Sequence, residues 1–329
     1  MIAVAELLVP LACAGLLAIS FLATYLIMPW LIAALGKSEI TGRDVHKTAV
    51  PEIPTMGGIG VFVGFAAAMT FSALLGLDYR LLFAIFLSGT LALLAGLIDD
   101  LFTLGKGTLV LLTFMVSMPV VAFQEGSTLV YLTPIGPADL GWFFWVLVPF
   151  AFSFAMNGVN IYAGFNGLEA GLGALSALSL GICAILYGSI ESAVALFALG
   201  GGLLAFLRWN WYPAKVFLGG SGTFLIGAVL ASSIIAGSIK IVGVIVLLPY
   251  VANFLLRASD RFKWTVGDTL QNGLVNSRKR NALWAVFMHN SPAPERQVVL
   301  RCLALQALFC AAALVFAYYH TVYAALRLG

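Results

Sequence analysis

Long, nearly charge-free apolar stretches separated by short polar segments set the pattern of this 329-residue chain. Ten such stretches lie near 5–35, 57–76, 81–98, 108–123, 141–156, 168–188, 192–207, 221–237, 239–256 and 299–326. About 18 apolar residues in a helix suffice to cross a bilayer. In lipid the backbone must satisfy its own polar groups, so helices are the spanning form here, and strand-like alternation is absent. The pattern predicts an all-α integral membrane protein with about ten transmembrane helices. Pro10 and Pro29 in the first stretch predict a kink or an extension past the bilayer. That stretch follows no basic segment and has no clear cleavage site, so it reads as a retained helix rather than a signal peptide.

Composition agrees. Hydrophobic residues make up 62% of the chain and charged ones 9%, against about 25% charged in ordinary soluble domains. A soluble fold has too little polar surface at that composition. The net charge of +3 and the scattering of basic residues give no support to nucleic-acid binding. Cys13, Cys183, Cys302 and Cys310 all lie in apolar stretches without a CxxC pair, which points to packing rather than disulfides or zinc.

Lysine and arginine also set an orientation. Fourteen fall in alternate loops (Lys37, Arg43, Lys47, Lys106, Arg208, Lys215 and the eight between Arg257 and Arg301), whereas Arg80, Lys240 and Arg327 fall on the other side. By the positive-inside rule the first set is cytoplasmic and both termini lie outside. The cytoplasmic loops are then near 36–56, 99–107, 157–167, 208–220 and 257–298, within a single domain spanning 1–329.

Four polar clusters converge on that face. Asp99-Asp100 ends the third apolar stretch; adjacent carboxylates repel unless a cation or a shared proton relieves them. The pair therefore suits metal chemistry or general-base work, and a solvated helix end explains it equally well. Asn157-Gly-Val-Asn160-Ile-Tyr-Ala-Gly164-Phe-Asn166-Gly167-Leu-Glu169-Ala-Gly171 brings amides and approachable backbone together, as a ligand loop requires. Arg208 to Thr223 ends in a glycine-rich turn entering a helix, a weak sign of a phosphate cradle. Arg43-Asp44-Val-His46-Lys47 and Pro54-Thr-Met56-Gly57-Gly58 complete the set. Their gathering at one membrane face points to a site more strongly than any one of them does. A transporter would favour charges at mid-membrane instead.

Asp99-Asp100, Asn160 to Gly171, Asn210-Trp-Tyr-Pro-Ala-Lys-Val-Phe217 and Pro294-Glu295-Arg296 together resemble the polyprenyl-phosphate N-acetylhexosamine-1-phosphate transferase family, and its eukaryotic and archaeal branch in particular. The resemblance runs nearly end to end. It implies transfer of GlcNAc-1-phosphate from UDP-GlcNAc to a polyprenyl phosphate such as dolichyl phosphate, with UMP released and Mg2+ required. It also implies a multi-pass protein of the cell membrane whose active site faces the cytoplasm, in a family where homodimers are common. On the matching positions, Asp99 and Asp100 would be catalytic, handling the lipid phosphate, one of them as a base. Asn160 would be a metal ligand, and Asn166 and Glu169 would hold the nucleotide sugar. Lys47, Met56 and Gly57 would line the nucleotide site. Arg261 would meet the sugar pyrophosphate.

Two departures stand out. Gly220 replaces the aspartate that the family uses as its second metal ligand, with Asp268 the one other carboxylate put forward to replace it. Leu109 replaces a lysine, with Lys106 one turn earlier as its substitute. They keep open a second reading, a catalytically lapsed relative that binds nucleotide sugar or lipid or serves as an accessory subunit.

Overall fold

The computed structural model describes residues 2–38, 40–102, 104–132, 136–263, 267–270 and 272–328, and the side chains of these except 2–7, 106, 131–132 and 323–328. Its helices are α1 (Ile2–Leu35), α2 (Gly58–Ser72), α3 (Tyr79–Phe102), α4 (Lys106–Val116), α5 (Met118–Phe123), α6 (Trp142–Ile161), α7 (Leu168–Leu186), α8 (Ile190–Asn210), α9 (Gly219–Ala236), α10 (Lys240–Ser259), α11 (Leu283–Val286) and α12 (Glu295–Leu328). Three short antiparallel hairpins lie in the connections: β1–β2 (Thr41–Arg43, Glu52–Pro54), β3–β4 (Leu129–Leu132, Gly136–Asp139) and β5–β6 (Asp268–Thr269, Val275–Asn276).

Among the described residues nine helices are long and apolar enough to cross a membrane. This corrects the expectation of ten continuous spans. The stretch 108–123 is apolar but divides at Ser117 into α4 and α5. Pro119 stands in the first turn of α5, where its missing N–H is least costly. The pair still carries the chain along the bundle. Leu104, before α4, hydrogen-bonds Asp99, and Ser127, beyond α5, hydrogen-bonds Ser238 past the far end of α9.

Helix α9 is the axis of the bundle, with 94% of its spanning window buried. It packs against α3, α6, α2 and α8. Within lipid, water expulsion does little to bring helices together, so close van der Waals approach between small residues carries much of the association. A Cβ added to Gly58 would stand 2.2 Å from the Gly222 nitrogen, and one on Gly227 would stand 2.4 Å from the Met156 Cα. These backbones touch because neither position carries a side chain.

The polar connections meet at one end of the bundle. Phe217 donates to Pro54 O at 2.8 Å, and Gly57 and Gly58 donate to Phe217 O and Leu218 O at 2.9 Å each. Substituting Gly58 by Ala forces α2 from the α9 backbone, and the expected cost is about 1–3 kcal/mol. Thermal unfolding in detergent should fall by several degrees, whereas Gly107→Ala, with nothing within 4 Å of its added Cβ, should leave it unchanged.

Candidate active site

Helix ends, rather than loops, supply the central polar groups. Asp99 and Asp100 lie in the last turn of α3, Asn157 and Asn160 near the end of α6, and Arg257 in the last turn of α10, while α9 begins among them. The apolar pattern stopped short of these residues, but the helices continue through them.

The first turn of α9 organises the group. Asp100 Oδ1 accepts the Gly220 N–H at 2.7 Å and Oδ2 the Ser221 N–H at 3.0 Å. Those amides have no partner inside their own helix, and the carboxylate also faces the positive end of the helix dipole. Asp99 turns elsewhere, accepting the Leu104 N–H at 3.0 Å. Asn160 Oδ1 accepts the Thr223 hydroxyl at 2.9 Å, which fixes the end of α6 to the same turn. A Cβ added to Gly220 would lie 3.1 Å from Asp100 Oδ1 and 3.3 Å from Gly96 O. A carboxylate at position 220 would therefore crowd Asp100 unless a cation lay between them.

A second cluster ties the loops together. Lys47 Nζ forms an ion pair with Asp44 at 3.0 Å and a second with Glu295, and lies 4.4 Å from the Tyr212 ring centre. Asn166 donates its side-chain amide to Asp44 at 3.1 Å and its backbone N–H to Glu295 at 2.9 Å, and it accepts the Ala214 N–H at 2.7 Å. Gly167 donates to Asn210 at 3.1 Å, and Gly164 donates to Glu169 at 3.2 Å. His46 stacks on Phe165 at 4.2 Å, and its Nε2 accepts the Gly267 N–H at 3.2 Å. Burial pulls the His46 pKa from 6.5 down to about 4, against the opposing pull of Asp44.

Two cavities adjoin here. A polar one of about 330 Å³ is lined by Asp44, His46, Asn166, Glu169, Gly219 and Arg257 among others. An apolar one of about 670 Å³ lies between α4, α6 and α10, lined by Phe114, Phe150, Phe154 and Phe254 together with Asn160 and Arg257. Ala163 and Arg257 line both.

The structure therefore brings Asp100 and Asn160 to one turn of α9, with Asp99 next to Asp100 in sequence but turned to Leu104. Asn166 and Glu169 line the polar cavity, and Lys47, which does not line it, is held by Asp44. Met56 and Gly57 are buried next to that cavity, in the turn bonded to Phe217, and Thr55 lines it in their place. Arg261 is exposed and lines neither cavity. The Lys106 side chain lies outside the described residues. Asp268 sits on the exposed β5–β6 hairpin, 3.5 Å from Arg278. Among the described residues no three His, Cys, Asp or Glu side chains form a metal-binding group. The oxygen donors at the α9 turn, Asp100 and Asn160, suit a hard cation that takes its remaining ligands from water and phosphate.

In the sequence Arg257 reads only as a loop cation. It follows Val242, Val246, Tyr250 and Asn253 on the buried stripe of α10, and that helical spacing is the signal that would have placed it inside. Asp44 and Glu295 were visible in motifs, but their partnership through Lys47 was not.

Lys47→Met should destabilise the protein by about 3 kcal/mol, because it leaves Asp44 and Glu295 buried without their cation; thermal unfolding in detergent measures this. Neutral His46 is the folded form. The contribution of His46 to stability should thus be full above pH 6.5 and fall by about 3 kcal/mol as pH drops towards 4, where the unfolded chain takes a proton that the folded one refuses. The difference in unfolding temperature between the parent and His46→Gln, followed against pH, should show that slope.

Comparison with known proteins gives these positions a lineage. Residues 82–238, from α3 through α9, match the model of Glycosyl transferase family 4. A protein of Saccharolobus solfataricus, provisionally named UDP-N-acetylglucosamine–dolichyl-phosphate N-acetylglucosaminephosphotransferase, is 33% identical over 304 residues, covering 90% of this chain and 94% of its own. A protein of the same provisional name from Sulfolobus acidocaldarius is 31% identical over 310 residues, 91% of this chain and 94% of its own. The phospho-N-acetylmuramoyl-pentapeptide-transferase of Desulforamulus reducens is 33% identical over 236 residues, 65% of this chain and 70% of its own. With its membrane helices, its paired aspartates and its asparagine loop in place, the chain belongs to Glycosyl transferase family 4, among the polyprenyl-phosphate N-acetylhexosamine-1-phosphate transferases.

Proposed function

We propose that the protein transfers GlcNAc-1-phosphate from UDP-GlcNAc to dolichyl phosphate in the cell membrane and releases UMP. One observation carries this reading. A polar cavity and an apolar cavity meet at Ala163 and Arg257, beside the turn of α9 that holds Asp100 and Asn160. The reaction needs that junction, because a soluble anionic donor must meet an anionic head on an apolar tail.

In this reading the polar cavity receives the nucleotide sugar and the phenylalanine-lined cavity receives the first part of the lipid chain. A lipid-phosphate oxygen attacks the phosphorus bearing GlcNAc. The bond from that phosphorus to the bridging oxygen of the diphosphate breaks, and UMP departs with the oxygen. Asp100 is engaged by two amides of α9, so Asp99, with one, is the carboxylate free to take a proton from the lipid phosphate. Asp100 holds the turn against which Asn160 is positioned. Mg2+, which Asp100 and Asn160 would hold together with phosphate oxygens, would supply neutralisation of charge on the transferring phosphoryl group. The basic residues near these helix ends support a site facing the cytoplasm, with both termini outside.

The lapsed reading finds no support in the comparisons, since the similarity to the two archaeal relatives extends over at least 90% of the chain, and Asp99, Asp100 and Asn160 are retained. Purified protein with UDP-GlcNAc, dolichyl phosphate and Mg2+ should release UMP, and Asp99→Asn should lower the rate 100-fold or more. Gly220→Asp should unfold at lower temperature than the parent in a chelator and recover with Mg2+, because its carboxylate would crowd Asp100. UDP-GlcNAc binding without any turnover in the parent chain would overturn the transferase assignment in favour of a binding role.

A further inference from the structure

Arg257 has surroundings that the preceding chemistry does not explain. It is 6% exposed, and its Nη1 is buried without a hydrogen-bond partner. Among the described residues no carboxylate comes within the 4.0 Å of an ion pair with it. The nearest acidic group in sequence, Asp260, is taken by Lys279 at 3.2 Å and Asn281 at 2.7 Å. Asp44, which lines the same polar cavity, is committed to Lys47 and Asn166. Glu169, also on that cavity, accepts Gly164.

Asp260 acts on Arg257 only from beyond ion-pair distance, and a buried guanidinium with no carboxylate in contact is costly. The C-terminal dipole of α10 favours a cation there, but only by about 0.3–1 kcal/mol, well below the several kcal/mol that desolvating a charge costs. The position explains what the interior does not. Arg257 lies on the wall shared by the polar and apolar cavities, where an anion with one wet side and one greasy side would stop. Its helix is held in place there: Asn253, one turn back, donates to Ile161 O at 3.3 Å and accepts the Leu283 N–H at 3.0 Å.

We propose that Arg257 is the phosphate anchor of this site, its planar fork binding the non-bridging oxygens of a phosphate or diphosphate at the cavity junction. The inference rests on the transferase reading for the identity of its ligands, which offer this chemistry from two sources: the diphosphate of the nucleotide sugar and the head of the polyprenyl phosphate. Arg257, not the exposed Arg261, is then the basic residue of the last cytoplasmic loop region that touches substrate.

The test is binding, independent of turnover, with Arg257→Gln and Arg257→Lys that unfold at the parent temperature. Calorimetry would compare UDP-GlcNAc, uridine and inorganic pyrophosphate, and native mass spectrometry dolichyl phosphate against dolichol. Arg257→Gln should weaken the phosphate-bearing ligand roughly 10- to 100-fold while uridine or dolichol binding stays constant. Arg257→Lys should recover part of that loss. A selective loss on UDP-GlcNAc assigns the anchor to the donor, and one on dolichyl phosphate to the acceptor. Equal binding of all phosphate ligands by parent and variant would overturn the anchor. A parent chain that bound neither substrate would sink the transferase reading, and the anchor would then stand or fall on whether Arg257→Gln loses pyrophosphate.

Discussion

The whole site hangs on the unpaired amides at the start of α9. A helix that begins inside a bundle needs acceptors brought to it, and here the acceptor is a carboxylate from another helix, Asp100 of α3. Thr223, in the same turn, adds α6 through Asn160. Three helices are thereby registered to one another within a few ångströms, and the backbone contact of Gly58 with Gly222 brings in a fourth. The aspartate that a metalloenzyme would present to a cation is thus also a structural cap. The two roles are compatible because each α9 amide engages one lone pair and each carboxylate oxygen retains another.

Away from this turn the structure separates two kinds of adhesion. Between the spans, small residues let backbones touch. At the polar end, Asp44, Lys47, Asn166 and Glu295 join the loops after α1 and α6 to the start of α12. The side chains expected to hold the nucleotide sugar are therefore held themselves before any ligand arrives. Lys47 is the clearest case, flanked by two carboxylates and a tyrosine ring.

Much of this was legible in the chain. Apolar length alone gave the spans, because the bilayer imposes it, and the paired aspartates and asparagine loop marked the site because charge and amides are so sparse elsewhere. What escaped has physical reasons. The break at Ser117 falls in a stretch whose hydropathy never falters, so apolar length could not place it. The helices run on through Asp99 and Asn160, past the point where the apolar pattern stops. Arg257 was hidden by its address: charges near a helix end usually reach solvent, and only the three-and-four spacing of α10 turns this one inward. The engagement of Lys47 by Glu295 joins residues with no local relation, and no window along the sequence contains both.

That last contact separates the site in time as well as in sequence. Lys47 and Glu295 are 248 residues apart, and at a translation rate of about 5–20 residues per second roughly 10 to 50 s pass between the emergence of one and the other. Throughout that interval the loop after α1 carries Asp44 and Lys47 with the second carboxylate still unmade, and Asn166 has no Glu295 to receive its backbone amide. Membrane insertion can deliver most of the spans early, but the contacts that join the loops after α1 and α6 to Glu295 close only when α12 arrives.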